Sequence, residues 1–348
     1  MDHHPKRARD LGIAPGRHTP GPRNSITDVR SVRVGHTTLD NGADVRTGVT
    51  AIVPDALDAA GGSLSAGLFV GNGYGKMIGV TQIVELGVIE TPILLTGTLS
   101  TFRTADALVL YMLSRPGNEE MQTVNPTVGE TNDGFLSDIR RRPITQEHVF
   151  EALSGARADT VTEGCVGAGT GTSALGFKGG IGTASRVVTL PDDEHLCTIG
   201  VLVQSNFSGT LSVLGVPIET GAVLGTQHSE AEQIGNSCMI VVATDCGLDA
   251  RQLGRVARRA VFGMGRVGSD FAEGSGDYAL AFDVEGHGQV PESSLPPIFE
   301  AVQESVEEAV LNSLFTAITT IGYRGHTKNA VPLDGGCPEF RGTSVAAR

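Results

Sequence analysis

Short apolar runs closed by glycine-rich turns come in groups along this chain, and stretches with helical periodicity come in groups between them. Strands and helices thus alternate in blocks. A doubly wound parallel sheet needs a helix after nearly every strand, whereas blocks fit stacked sheets with helices packed outside them. In the first block, ITDVRSVRVGHTT alternates like a half-exposed strand, and GVTAIVP and SAGLFVGNG read as buried strands ended by turns. Helical spacing follows in VTQIVEL and in STFRTADALVLYMLSR, where Ser100 or Thr101 can cap; Pro116 to Gly134 reads as loop, and TQEHVFEALSGA as a short helix. Strand and turn text returns in GCVGAGTGTSALGFKGGIGTASRVV and CTIGVLVQSNFSG. Near the end, Asp249 caps a helix with Leu253, Val256, Ala257, Ala260, Val261 and Met264 on one stripe and Arg255, Arg258 and Arg259 opposite. GDYALAFDV is a further strand, and Leu295 to Ile318 a long helix with Ile298, Val302, Val306, Ala309, Val310 and Leu314 on its apolar stripe.

The 348 residues can bury a large core, and 47 glycines without low-complexity repeats imply many tight turns and close backbone approaches. A net charge of -13 disfavours nucleic acid and anionic membrane as partners, since both reward clustered positive charge. No apolar run approaches the length of a bilayer span. Five cysteines, at 165, 197, 238, 246 and 337, show no C-x-x-C and no histidine pair nearby, so neither a disulfide framework nor a zinc site is expected. Residues 1–23 are basic and proline-rich without a secretory apolar stretch. They read as a flexible arm, the remainder as a single domain, and the protein as cytoplasmic.

Few motifs carry chemistry. GAGTGTSALGFKGG lacks the spacing and the lysine-hydroxyl ending of a phosphate loop and reads as turns within a sheet. His36, His148, His228 and His326 are scattered, with no metal spacing. The seam in EAEQIGNSCMIVVATDCG is more informative: polar text runs through Gly235 and Asn236 into Ser237, which opens the apolar strand Met239 to Ala243. A serine hydroxyl needs a base, and the hydrolase elbow G-x-S-x-G occurs nowhere. If the Asn236–Ser237 bond were cut, the serine would carry its own base: a terminal amine has a pKa of about 7.7 to 8.0, low enough for a usable neutral fraction. Taken alone, Asn-Ser before a strand is also the text of an ordinary turn.

In order along the chain, NSITDVRSVRVGHTT, VGNGYGKMIG, GETNDGFLSD, VQSNFSG, GNSCMIVVATD and GSGDYALAF resemble the DmpA/BapA family of self-processing N-terminal-serine aminopeptidases, to which nylon-oligomer hydrolases are related. The resemblance runs from Asn24 to the last helix. It implies an α/β (α+β) fold: a four-layer αββα sandwich like that of the Ntn hydrolases but connected differently, occupying 24–348. It also implies self-cleavage into an α chain, 1–236, and a β chain, 237–348, that stay together as the αβ unit of a homo-oligomer. The implied activity releases N-terminal residues from small peptides, amides or esters through an acyl-enzyme, without metal or organic cofactor.

By the same resemblance Ser237 is nucleophile and base, Asn206 stabilises the oxyanion, Ser275 and Asp277 hold the terminal amine, and Glu130 pairs with the substrate's amino group. Asn132 and Tyr74 complete the implied substrate contacts. Lys76, where the family text has an acidic residue nearby, and Tyr74, where a small residue is expected, depart from the pattern and bear on substrate preference. Three further readings remain: an ornithine acetyltransferase-like acyl transferase, whose expected nucleophile is threonine, a nylon-oligomer-type amide hydrolase, and an uncleaved member without chemistry.

Overall fold

The computed structural model describes residues 5–58, 60–191, 196–218, 220, 237–285 and 290–333. The first half runs through β1 (Val32–Asp40), β2 (Arg46–Pro54), β3 (Leu64–Gly73), β4 (Met77–Ile78), α1 (Val80–Leu86), β5 (Val88–Ile89), β6 (Ile93–Gly97), α2 (Thr101–Leu113), β7 (Thr127–Thr131) and α3 (Gln146–Ser154). The second half opens with the short hairpin β8 (Ser173–Ala174) and β9 (Phe177–Lys178), then β10 (Ile181–Thr189), β11 (Leu196–Asn206) and the hairpin β12 (Ser212–Val213) and β13 (Val216–Pro217). It ends with β14 (Ser237–Thr244), α4 (Ala250–Arg266), β15 (Gly276–Asp283), α5 (Leu295–Phe315) and the hairpin β16 (Thr320–Ile321) and β17 (Thr327–Lys328).

Two sheets carry the core, one in the order β1-β2-β6-β7-β4 and the other in the order β10-β11-β14-β15-β3-β5. Each contains one parallel pair, β6–β7 and β14–β15, and the chain joins each pair through a helix, as a parallel connection requires. Alternation along the strands sorts side chains into three layers of packing. Ile52, Leu95, Leu202, Met239, Val241 and Leu280 meet between the sheets. Val203, Ile240, Val242 and Ala279 face α4 and α5, and Val49, Ala51, Leu94 and Val128 face α2 and α3. The architecture is therefore the expected αββα sandwich. Two glycines show why the chain is rich in them: a Cβ on Gly67 would stand 2.1 Å from the Gly254 nitrogen, and one on Gly182 would stand 1.9 Å from the Ala309 oxygen. Side chains there would push the helices off the sheet.

Asp249 caps α4 as expected, accepting the Gln252 amide at 2.7 Å. Five expectations change. Neither Ser100 nor Thr101 caps α2 through its side chain; a 3-10 turn, Thr98–Ser100, leads into the helix, and the Thr101 hydroxyl donates back to Thr98 O. The last helix stops at Phe315 rather than Ile318. The stretch expected to be loop from Pro116 to Gly134 contains β7, a strand of mostly small and polar residues that is nonetheless wholly buried.

Cys197 and Cys246 form a disulfide, which spacing alone did not disclose because the pairing of β11 with β14 brings together residues 49 apart. Such a bond persists in oxidising compartments and is rare in a reducing cytosol, which runs against the cytoplasmic expectation. Asp245 lies close enough to share a metal ion with the two cysteines, but their sulfurs are bonded to each other. Among the described residues no helix is long and apolar enough to cross a membrane.

The fifth change concerns the arm. Residues 5–23 lie against α5 and β10: the Ala8 amide donates to Asn312 Oδ1 (2.9 Å), Arg7 pairs with Glu163 (2.7 Å), and the Arg17 and His18 amides donate to Glu304. Arg186, fully buried, ties the three elements together through Glu304 (3.2 Å), Glu308 (2.7 Å) and the Pro15 carbonyl (2.8 Å). Basic and proline-rich text is compatible with this docking because the acidic face of α5 supplies its partners. Arg186→Met should cost about 3–5 kcal/mol, the usual consequence of leaving buried carboxylates without their cation. Urea unfolding measures it; a loss of about 0.5 kcal/mol, typical of surface changes, would show that Arg9, whose Nε donates to Glu308 Oε1 at 2.8 Å, and solvent suffice for Glu308.

Candidate active site

Ser237 opens β14, and its position is set from both sides. It is the antiparallel register partner of Asn206, the last residue of β11, and the parallel partner of Gly276 in β15. All eight residues of β14 are buried, so the strand has no freedom to shift. Met239 and Val241 face the opposite sheet while Cys238 and Ile240 face the helices, so the period of two puts the Ser237 side chain on the inter-sheet face.

Asn206 is held at both ends of its amide. Oδ1 accepts the Ser173 N–H at 3.0 Å, and Nδ2 donates to the Asn132 carbonyl at 3.1 Å. Ser275 and Asp277 flank Gly276, and the Ser275 hydroxyl donates to Asp277 Oδ1 at 2.8 Å. Asp277 Oδ2 is buried and completes no hydrogen bond. Burial raises the Asp277 pKa to about 6, against the pull of the Ser275 hydroxyl and of the Cys238 amide nearby. Cys238 is buried next to Ser237; burial and the Asp277 charge push its thiol well up, which keeps it inert.

Glu130 sits in β7, 3% exposed. Its Oε1 accepts the Lys76 amide at 2.8 Å and lies 3.5 Å from Lys76 Nζ, while Oε2 is buried without a hydrogen-bond partner. The turn between β3 and β4 links this carboxylate to the nucleophile's strand neighbour. The point where a Gly75 Cβ would stand is 3.2 Å from both Glu130 Oε1 and the Gly276 Cα, and the Tyr74 amide donates to Ser275 O at 3.0 Å.

Ser237, Asn206, Ser275, Asp277 and Glu130 thus gather at one end of the two central strands. Asn132 Oδ1 accepts the Gly134 amide (2.9 Å), and the Asn132 backbone carbonyl accepts from Asn206 Nδ2; Tyr74 is 76% exposed and joins the site through its amide on Ser275 O. Asn236 and His228 lie outside the described residues. Of the other histidines, His36 meets Thr50, His148 accepts the Thr145 amide at the start of α3, and His326 stacks on Phe135. A cavity of about 360 Å³ lined by Val34, His36 and Arg157 includes none of the site residues.

Sequence reasoning missed three buried polar groups behind the site. Gln204 donates to Thr131 Oγ1 (2.8 Å) and to the Ala168 carbonyl (2.9 Å), joining the sheets. Lys178 donates to Gly169 O and Gly179 O, and burial lowers its pKa. Asp133 is raised to about 7, mainly by burial. Only Gln204 left a sequence signal, a polar residue in the otherwise apolar run of β11.

The profile of peptidase family S58 matches residues 24–328. The chain is similar to a β-peptidyl aminopeptidase of Sphingosinicella xenopeptidilytica, 37% identical over 94% of this chain and 89% of the relative. Among solved structures it is similar to a Pyrococcus horikoshii protein, TM-score 0.86, 43% identical, covering 94% of this chain and 96% of that one. It also resembles the L-aminopeptidase D-Ala-esterase/amidase of Ochrobactrum anthropi, a variant of the Ntn hydrolase fold, with a TM-score of 0.84 and 35% identity over 94% of this chain and 96% of that one.

The raised Asp277 pKa carries a stability signature. Between the unfolded value near 3.8 and the folded value of about 6, the folded protein binds more protons than the unfolded one, so stability falls as pH rises through that window. In a Ser237→Ala background, adding Asp277→Asn should flatten the decline in melting temperature from pH 4 to pH 6. Equal slopes in the two proteins would show that Asp277 is not the group responsible.

Proposed function

The chain belongs to peptidase family S58, and we propose on that premise that it is an N-terminal-serine aminopeptidase and amidase that cuts its own backbone between Asn236 and Ser237. The observation that carries this reading is the register at the end of β14, where Ser237 has Asn206 on one side and Gly276, between Ser275 and Asp277, on the other.

Cleavage turns the Ser237 nitrogen into an amine with a pKa of about 7.7 to 8.0, partly neutral near pH 7. As Ser237 Oγ attacks the substrate carbonyl carbon, its proton passes to this amine. Asn206 stabilises the oxyanion from an amide already clamped by Ser173 and Asn132, so little reorganisation is needed. The amine then gives its proton to the leaving nitrogen, the C–N bond breaks, and an acyl ester remains on Ser237. Water, losing its proton to the same amine, attacks that ester and releases the acid; the proton returns to Oγ. One water is consumed per turnover. Asp277, with an oxygen that completes no hydrogen bond, and Ser275 hold the terminal ammonium in its protonated phases.

Glu130 confers the exopeptidase preference, since its buried Oε2 finds a partner when a substrate ammonium arrives. The names of the curated relatives support acceptance of an amine one carbon further from the scissile carbonyl, as in a β-amino acid. The two chains would remain paired through β11 and β14. Exposed Val84, Leu86, Phe102 and Phe262 offer apolar surface for a homo-oligomer of such pairs.

Intact-mass measurement and N-terminal sequencing of active protein should find a fragment beginning Ser237-Cys238-Met239, and Ser237→Ala should leave one uncut, inactive chain. Full-length active protein, or cutting that survives Ser237→Ala, ends this reading. Asn206→Ala should lower kcat about 100- to 1,000-fold with little change in KM, the usual loss for one oxyanion donor. A change confined to KM would move Asn206 from the oxyanion to substrate binding.

A further inference from the structure

The ammonium site around Glu130 is already half neutralised. Lys76 occupies one carboxylate oxygen with its amide and brings its Nζ to 3.5 Å from the same oxygen, steadied by Thr98 Oγ1 at 2.6 Å. The Lys76 side chain is 39% exposed, whereas Glu130 is buried, so the ammonium stands at the wet side of the pair. A substrate bearing only an amine would place a second cation beside Lys76. Like charges at that separation in a partly buried site repel and weaken binding. A substrate carrying a carboxylate next to its amine removes the conflict, because each of its charges meets an opposite one.

Resting on the aminopeptidase reading above, we infer that the preferred acyl residue is a β-linked aspartyl group, with a free amine for Glu130 and a free carboxylate for Lys76 on one carbon. The spacing selects this isomer. Lys76 Nζ lies 3.5 Å from Glu130 Oε1, so the two charged heads are neighbours and suit an amine and a carboxylate borne close together, as on one carbon. An α-linked aspartyl residue sets its charges one carbon further apart. A γ-glutamyl residue keeps them on one carbon but moves both a carbon further from the scissile carbonyl. In the β-aspartyl residue the amine stands where a β-amino acid has it. Hydrolysis by the steps already given consumes one water and yields free aspartate and the shortened peptide.

The anilides of β-aspartate, β-alanine, γ-glutamate and α-aspartate, given to the processed wild-type protein, test this. The β-aspartyl compound should exceed the β-alanyl one by about 10- to 100-fold in kcat/KM, mostly through KM, the range expected of one charge-assisted hydrogen bond. Lys76→Gln should reduce that ratio to near one and Lys76→Arg should preserve it. Free aspartate should also inhibit the wild-type enzyme competitively, and more strongly than free β-alanine, a readout that needs no variant. Equal rates in the wild type, a preference that survives Lys76→Gln, or a larger preference for the γ-glutamyl or α-aspartyl compound overturns the inference. Hydrolysis of the β-alanyl anilide, or of an α-alanyl anilide run beside it, without a β-aspartyl advantage sinks this inference alone; hydrolysis of none of these five sinks the aminopeptidase reading with it.

Discussion

Every feature of the site depends on β14 being hydrogen-bonded along both edges. A strand with one free edge can fray at its end, and a nucleophile at its first residue would fray with it. Here β11 and β15 grip it from Ser237 to Thr244, and both faces are buried. A slip of one residue would carry Met239 and Val241 to the helix side and Ile240 to the sheet side, undoing two layers of packing at once. The first side chain is therefore as fixed as the core. The parallel pairing with β15 adds a second constraint: the chain must cross over through α4, which returns Ser275 and Asp277 to the same end of the sheet as Ser237.

That end of the sheet concentrates buried negative charge. Glu130 Oε2, Asp133 Oδ2 and Asp277 Oδ2 are all buried acceptors that complete no hydrogen bond, an unusual density for a folded protein. Asp133 and Asp277 respond by holding their protons more tightly than exposed carboxyls do. Such an arrangement is costly unless cations arrive during function. The proposed reaction brings two: the ammonium of Ser237 after cleavage, and the amino end of the substrate. Preorganised carboxylates then gain what they lack in the empty site, and the gain is realised only when the terminus and the substrate are in place.

Much of this was legible in the sequence where one physical signal dominates. The apolar stripe of α4 with its Asp249 cap, the buried run of β14 and the block order of strands and helices all stand in the structure as they read. Elements set by distant partners were not legible. β7 is polar text that becomes a strand because β6 and β4 pair with it on either side. The N-terminal segment reads as loose because its partners, Glu304 and Glu308, lie some 290 residues away on α5. The Cys197–Cys246 pairing is likewise a product of register. At the site, residue types were readable and orientations were not: nothing local announced that the Asn132 carbonyl meets the Asn206 amide, and Lys76 announced an unexpected charge without naming Glu130 as its partner.

The distance between Ser237 and Glu130 is set by sheet packing. Facing sheets normally stand about 10 Å apart, filled by side chains from both. At β7 the filling comes from one side alone: a Cβ on Gly129 would lie 2.3 Å from Met239 Cε, so Met239 already occupies the space a side chain there would need. The absence of a side chain at 129 lets the backbone of β7 settle onto β14 two residues from Ser237. Glu130, the next residue, is thereby drawn toward Gly276 with only Gly75 between them. Two glycines thus shorten the gap between Ser237 and the Glu130 carboxylate. On the proposed reading an acyl residue spans that gap, so its backbone length would follow from the closeness of two sheets and its charges from Glu130 and Lys76.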